Sequence, residues 1–187
     1  MGFINKTVMG IKTDKGVDLL QQTYTKDPLP KGVTVVKINV FPDDLGGWFK
    51  ENFRLSESGS FQALTESGID FKIRQSNMSY IAPGGKRFWH IHPSQNEIWT
   101  TNAILLVGLI DLREGSETYG QKTKVILSQD KALYIPHGVA HGFINPNNFP
   151  VTLVYFADQV FKADSETEEH RIDPKTLPFD FVEPEIM

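Results

Sequence analysis

His90 and His92 sit one residue apart, with Glu97 five positions further on and His141 well downstream. In an extended chain, residues i and i+2 project to the same face. The two imidazoles therefore converge on one point, while Trp89 and Ile91 pack on the other side. A third imidazole, His141, follows the turn Pro136-x-Gly138, and Glu97 is reached through a loop begun by Pro93 and Ser94. Three nitrogens and one carboxylate suit a divalent transition metal (Zn, Fe, Mn, Ni or Co) without selecting among them. The same residues also suit a plainer use, as hydrogen-bonded polar groups inside a barrel. His137, in a turn, and His170, in a charged stretch, read as solvated surface residues.

The elements that must hold such a set are strands. Val/Ile/Tyr/Phe-rich runs recur at 33–41, 71–82, 103–112, 123–128, 131–136 and 151–161, bounded by Gly, Pro, Asn and Asp, and 71–81 roughly alternates. Helix signals are few: "GVDLLQQTY" (16–24), and "SFQALTESG" (60–68), where Ser60 is the expected cap and Gly68 the stop. A chain of 187 residues with 40% hydrophobic content can bury one core, and it reads as a single domain over 1–187. The core spans about 33–161, with N- and C-terminal extensions.

Composition removes several function classes. Without cysteine there is neither a disulfide framework nor a thiolate metal site. A net charge of -4 gives no footprint for nucleic acid, and "AILLVGLI" is too short to span a bilayer. The start of the chain lacks the apolar core of a signal peptide, so a cytoplasmic location and a small-molecule substrate are expected.

The spacing Gly84-x5-His90-x-His92-x4-Glu97 resembles the first cupin signature, and Pro136-x-Gly138-x2-His141-x3-Asn145 resembles the second. The resemblance implies an all-β fold, a cupin-type double-stranded β-helix (jelly-roll barrel) with short peripheral helices. The chain from about 33 to 174 also resembles the dTDP-4-dehydrorhamnose 3,5-epimerase family, itself of cupin fold. The matching pieces, in order, are "DLGGWFKE" (44–51), "QSNMS" (75–79), "DLREGSETYG" (111–120), "IPHGVAHGFIN" (135–145), "VYFADQVF" (154–161) and "RIDP" (171–174).

That resemblance implies an isomerase acting on a nucleotide-linked 4-keto-6-deoxy sugar. A histidine backed by an aspartate takes protons from the carbons flanking the ketone, and a tyrosine returns one from the opposite face. A lysine steadies the enolate. Carried over residue by residue, His92 falls on the base, Asp173 on its partner and Tyr155 on the acid. Phe49 and Glu51 fall on positions that reach a neighbouring subunit's nucleotide. Arg113 and Arg87 are candidate phosphate contacts, and Gln75 and Asn77 candidate pocket residues. Because the family exchanges N-terminal strands between subunits, a homodimer is expected.

The departures are specific. Trp89-His90-Ile91-His92 stands where the family has Arg-Gly-x-His, Gly46 replaces a second arginine, and Asn96 or Glu97 stands at the lysine's place. A cation held by His90, His92, Glu97 and His141 would restore the lost charge as a Lewis acid. The expectation is therefore a metal-assisted epimerase. The alternatives are a metal-dependent cupin enzyme of another reaction type, such as an oxygenase on a small molecule, and a non-catalytic sugar- or metal-binding cupin.

Overall fold

The computed structural model describes residues 28–162 and 169–182. The helix expected at 16–24 lies outside them, as does most of the N-terminal segment expected to cross between subunits.

The apolar runs become two facing antiparallel sheets. The first contains β1 (Thr34–Lys37), β4 (Gln75–Ile81), β6 (Glu97–Thr101), β9 (Lys131–Ile135) and β11 (Val151–Ala157), in the order β1-β9-β6-β11-β4. The second contains β5 (Lys86–Ile91), β7 (Leu105–Asp111), β8 (Lys122–Leu127), β10 (Val139–Ile144) and β12 (His170–Arg171), in the order β12-β5-β10-β7-β8. A separate ribbon pairs β2 (Val40–Pro42) with β3 (Trp48–Lys50).

The period-two pattern of the sequence explains where the core lies. Trp99, Leu133 and Leu153 of the first sheet meet Val107, Leu109 and Phe143 of the second in one buried cluster. Their neighbours face outward into two further layers. On the first sheet, Ile98 and Phe156 pack with Phe61, Leu64 and Phe71 around α1 (Gln62–Thr65). On the second, Trp89, Leu106 and Ile110 pack beneath the C-terminal segment, and the Trp89 indole N–H donates to the Leu177 carbonyl at 2.6 Å. With both faces covered, β7 reads as an unbroken apolar run rather than an alternating one.

The expected Ser60 cap is not formed. Ser60 is buried, its backbone bridges to Lys72, and its hydroxyl donates to the Asp70 carboxylate. The four-residue α1 starts instead from Phe61, without a side-chain cap. The β-bridge fixes Ser60 in extended geometry and turns its oxygen away from the helix.

β5 departs from a regular strand. Opposite β10, His141 pairs with His90 but Phe143 pairs with Arg87, so three residues of β5 span two of its neighbour. This bulge re-phases the pleat. Arg87 and His90 are an odd number apart and would face opposite ways on a regular strand; here both reach the same cleft. Gly142 lies between the two paired positions, and a Cβ there would collide with the Phe88 ring and the Arg87 carbonyl.

Candidate active site

A cleft of about 380 Å³ opens between the sheets. β5 contributes Arg87 and His90, β10 contributes His141 and Phe143, and the opposing sheet contributes Ser79, Glu97, Trp99, Leu153 and Tyr155. Glu169, just before β12, completes the wall.

His90 and Glu169 form a dyad. The short β12 pairs His170 with Ile91 and Arg171 with His90, which holds Glu169 alongside β5. Its carboxylate lies 3.3 Å from His90 Nδ1. The hydrogen bond from His90, assisted by that imidazole and by Arg171, holds the Glu169 carboxyl down at about 2 despite partial burial. It is a carboxylate at any working pH, fit to orient an imidazole and steady it when charged. Across the cleft stands Tyr155, half-buried on β11. Burial, with the negative charges of Glu97 and Glu169, pushes its phenol above the ordinary tyrosine range, so it remains a proton donor.

Beneath them lies a buried cluster. Glu97 receives the Trp99 indole N–H at 2.6 Å and the Gln95 amide at 2.9 Å. It lies 3.3 Å from His92 Nε2 and 3.5 Å from His141 Nε2. Burial by itself would raise the Glu97 carboxyl, but the hydrogen bond from His92, the imidazoles and Trp99 outweigh it and pull it below the usual range. His141 donates from Nδ1 to the Val139 carbonyl at 3.0 Å, since a carbonyl only accepts. Burial lowers its imidazole to about 4, leaving it neutral. Glu97 is thus kept ionised by what surrounds it, the hydrogen bond and charge of His92 first, with N–H donors from Trp99 and Gln95 beside them.

Of the residues singled out from sequence, Tyr155, His90, Glu97, His141 and Arg87 share the cleft. His92 is not part of that wall; it is buried against Glu97. Asp173 does not approach it. The β12–β5 ladder continues from Arg171 opposite His90 to Ile172 opposite Trp89, carrying the chain away from His92. The exposed Asp173 carboxylate accepts the Lys175 N–H at 2.9 Å instead. Arg113 is committed to the fully buried Asp111, whose carboxylate it meets at 2.9 and 2.8 Å, and to the Lys31 carbonyl. Gln75 bonds Asn77 and receives the Phe161 N–H. Phe49 stacks on Phe41 in the ribbon, and Glu51 pairs with Arg54. Glu169 went unread because nothing in the acidic run "ETEEH" marks one glutamate from the next.

A jelly-roll cleft with an imidazole–carboxylate pair on one wall and a tyrosine phenol on the other has the groups that two-sided proton transfer in a carbohydrate epimerase of cupin fold would use. A family profile described as dTDP-4-dehydrorhamnose 3,5-epimerase matches residues 29–183, and the chain belongs to that family, whose members are isomerases. The chain is 32% identical over 157 residues to the spore coat polysaccharide biosynthesis protein SpsL of Bacillus subtilis, covering 80% of this chain and 95% of that one. It is 30% identical over 118 residues to the dTDP-4-dehydrorhamnose 3,5-epimerase of Methanothermobacter thermautotrophicus, and spans only 60% of it, with 60% of this chain covered. The Bacillus anthracis dTDP-4-dehydrorhamnose 3,5-epimerase, solved with TDP and PPi bound, superposes with a TM-score of 0.63 at 25% identity, covering 75% of this chain and 78% of that one. These relatives favour the epimerase over the oxygenase and binding-module alternatives.

The family also corrects the expected cofactor. Its epimerases work without metal, and the four-ligand set that suggested one is not assembled. Only His92, Glu97 and His141 bring ligand atoms within 4.8 Å of one another among the described residues. His90 is drawn to Glu169, and Glu97 is already held by N–H donors from Trp99 and Gln95. The divalent transition metal inferred from spacing is withdrawn.

Proposed function

We propose that this chain epimerises a 4-keto-6-deoxy sugar carried on a nucleoside diphosphate, inverting the carbons that flank the ketone. The observation that carries this is the His90–Glu169 dyad facing Tyr155 from the opposite sheet. His90 Nε2 removes the proton from a carbon made acidic by the neighbouring carbonyl, and the electron pair passes to the C4 oxygen as an enolate. Glu169 steadies the imidazolium. The Tyr155 phenol protonates the carbon from the other face, completing the inversion. This reading gives His90 and Glu169 the roles first assigned to His92 and Asp173. It also slides the family's Arg-Gly-x-His by two residues, onto Arg87-Phe88-Trp89-His90. Arg87 makes no ion pair among the described residues and supplies positive charge for the diphosphate at the cleft.

The same reading includes a homodimer in the cytoplasm. β4 is a seven-residue sheet edge whose outward Met78 and Tyr80 are 73% and 74% exposed, and the nearby ribbon exposes Phe41, Trp48 and Phe49. Such an edge is normally covered.

The test is incubation of the protein with a thymidine-diphosphate-linked 4-keto-6-deoxyglucose in deuterated water. Deuterium on both carbons flanking the ketone, with inversion, is the expected result. No exchange above the protein-free control with this sugar would overturn the proposal.

A further inference from the structure

Away from the cleft, the C-terminal segment crosses the outer face of the second sheet, apart from the β4 edge and the ribbon. It begins at the site, with Glu169 against His90, and its β12 ladder is two residues long and exposed at both. So short a ladder at a sheet edge, and ion pairs open to water, have little hold of their own. The grip lies further on. The Leu177 carbonyl accepts the Trp89 indole N–H, Phe179 stacks on Phe88 with ring centroids 4.5 Å apart, and Phe181 stacks on Trp89 at 5.8 Å. Val182, which closes a 3₁₀ turn (Asp180–Val182), is the one fully buried side chain of residues 169–182. It sits over Gly108 of β7, where a Cβ would collide with Val182 Cγ2 and with the Trp89 ring. The glycine makes a pit in an otherwise apolar strand.

We infer that Val182, seated in the Gly108 pit, is a positioning residue for the base: it holds the segment down, and the segment holds Glu169 on Nδ1 of His90. The inference rests on the dyad proposed above. Val182 is not in the cleft wall, so it acts only through the chain that joins it to Glu169. That chain is tied to β5. Ile172 and Trp89 exchange both backbone hydrogen bonds, at 3.1 and 3.4 Å, next to the Arg171–His90 pair, and the Thr176 and Leu177 N–H groups donate to the Asp173 carbonyl in the turn that follows. Trp89 is the shared support. Its backbone carries the ladder, its ring floors the anchor, and His90 is the next residue. Freeing Val182 lifts the anchor, and with it the carboxylate that orients the imidazole.

The experiment joins amide hydrogen exchange with turnover in full-length variants. In Val182→Ala, losing the branch methyls from a filled pit is expected to speed exchange of the Ile172 N–H about tenfold. Val182→Asp buries an unpaired charge, and the segment is expected to leave the sheet. The kcat for deuterium incorporation into the keto sugar should then fall about tenfold to a hundredfold, as for loss of the Glu169 charge, with KM within about threefold. In a Glu169→Gln background the same substitution should cost under about twofold more, because the group it displaces has already lost its charge. A residue that merely supports the fold would add its full effect there. Unchanged Ile172 exchange in Val182→Ala, undiminished kcat in Val182→Asp, or a full further loss in the double variant would each overturn the inference. The first variant decides the matter if the second does not fold. The amide measurement is also independent of the sugar: wild-type protein that labels no sugar carbon removes the epimerase reading, whereas unmoved Ile172 protection removes this one.

Discussion

An imidazole that accepts a proton in one step and must hold its orientation throughout needs its other nitrogen occupied, and Glu169 occupies Nδ1 of His90 at 3.3 Å. His90→Asn is expected to reduce deuterium exchange by on the order of 10²–10⁴-fold, the range for losing a general base. Glu169→Gln keeps the shape and loses the charge. It is expected to cost about tenfold to a hundredfold in rate, the equivalent of one charge-assisted hydrogen bond, with KM little changed. The same carboxyl also sets an acid limit on stability. Its pKa falls from 4.5 in the unfolded chain to about 2 in the fold, so its contribution is complete above 4.5 and is lost as pH falls toward 2. Acid unfolding followed by circular dichroism is expected to be less steep across that window in Glu169→Gln.

At the scale of elements, the bulge in β5 decides which side chains meet. It gathers Arg87 and His90 into one cleft, and the missing side chain at Gly142 lets the bulged strand lie against β10. Gly142→Ala inserts a methyl group against the Phe88 ring and a backbone carbonyl that cannot swing aside. A loss of about 1–3 kcal/mol in denaturant unfolding is expected, as for other overpacked sites. Exchange activity should fall further than stability accounts for, because Arg87 and His90 move together. Equal activity in the folded fraction would show that the bulge does not set the cleft.

For the whole molecule, the two sheets bring the proposed base and acid to opposite walls, and the chemistry needs no ion between them. Prolonged treatment with a strong chelator, followed by its removal, is therefore expected to leave deuterium exchange within about twofold of untreated protein. That range corresponds to under half a kcal/mol in barrier height. The exposed β4 edge and aromatic ribbon are expected to be buried between two copies. Light scattering at micromolar concentration should then give twice the 21.1 kDa of the chain, and a monomeric mass would remove the dimer from the proposal.

Strand-forming runs, turn residues and ordered short motifs are local properties. They determined the all-β class, six strand-bearing stretches of the chain and the outward packing of Trp89. The family resemblance was legible for the same reason, since six short matches survive in order. Which of two histidines faces the cleft is not local. His90 and His92 are equivalent under a period of two, and only the pairing with β10 and β12 separates them, one against Glu169 and the other against Glu97. Asp173 and Glu169 are likewise both carboxylates near the same strand, and the antiparallel register of β12 alone brings one to His90 and carries the other away. The metal reading failed on this point: spacing along a chain lists possible ligands, but convergence depends on strand register and on competing hydrogen bonds, which form only when the sheets close.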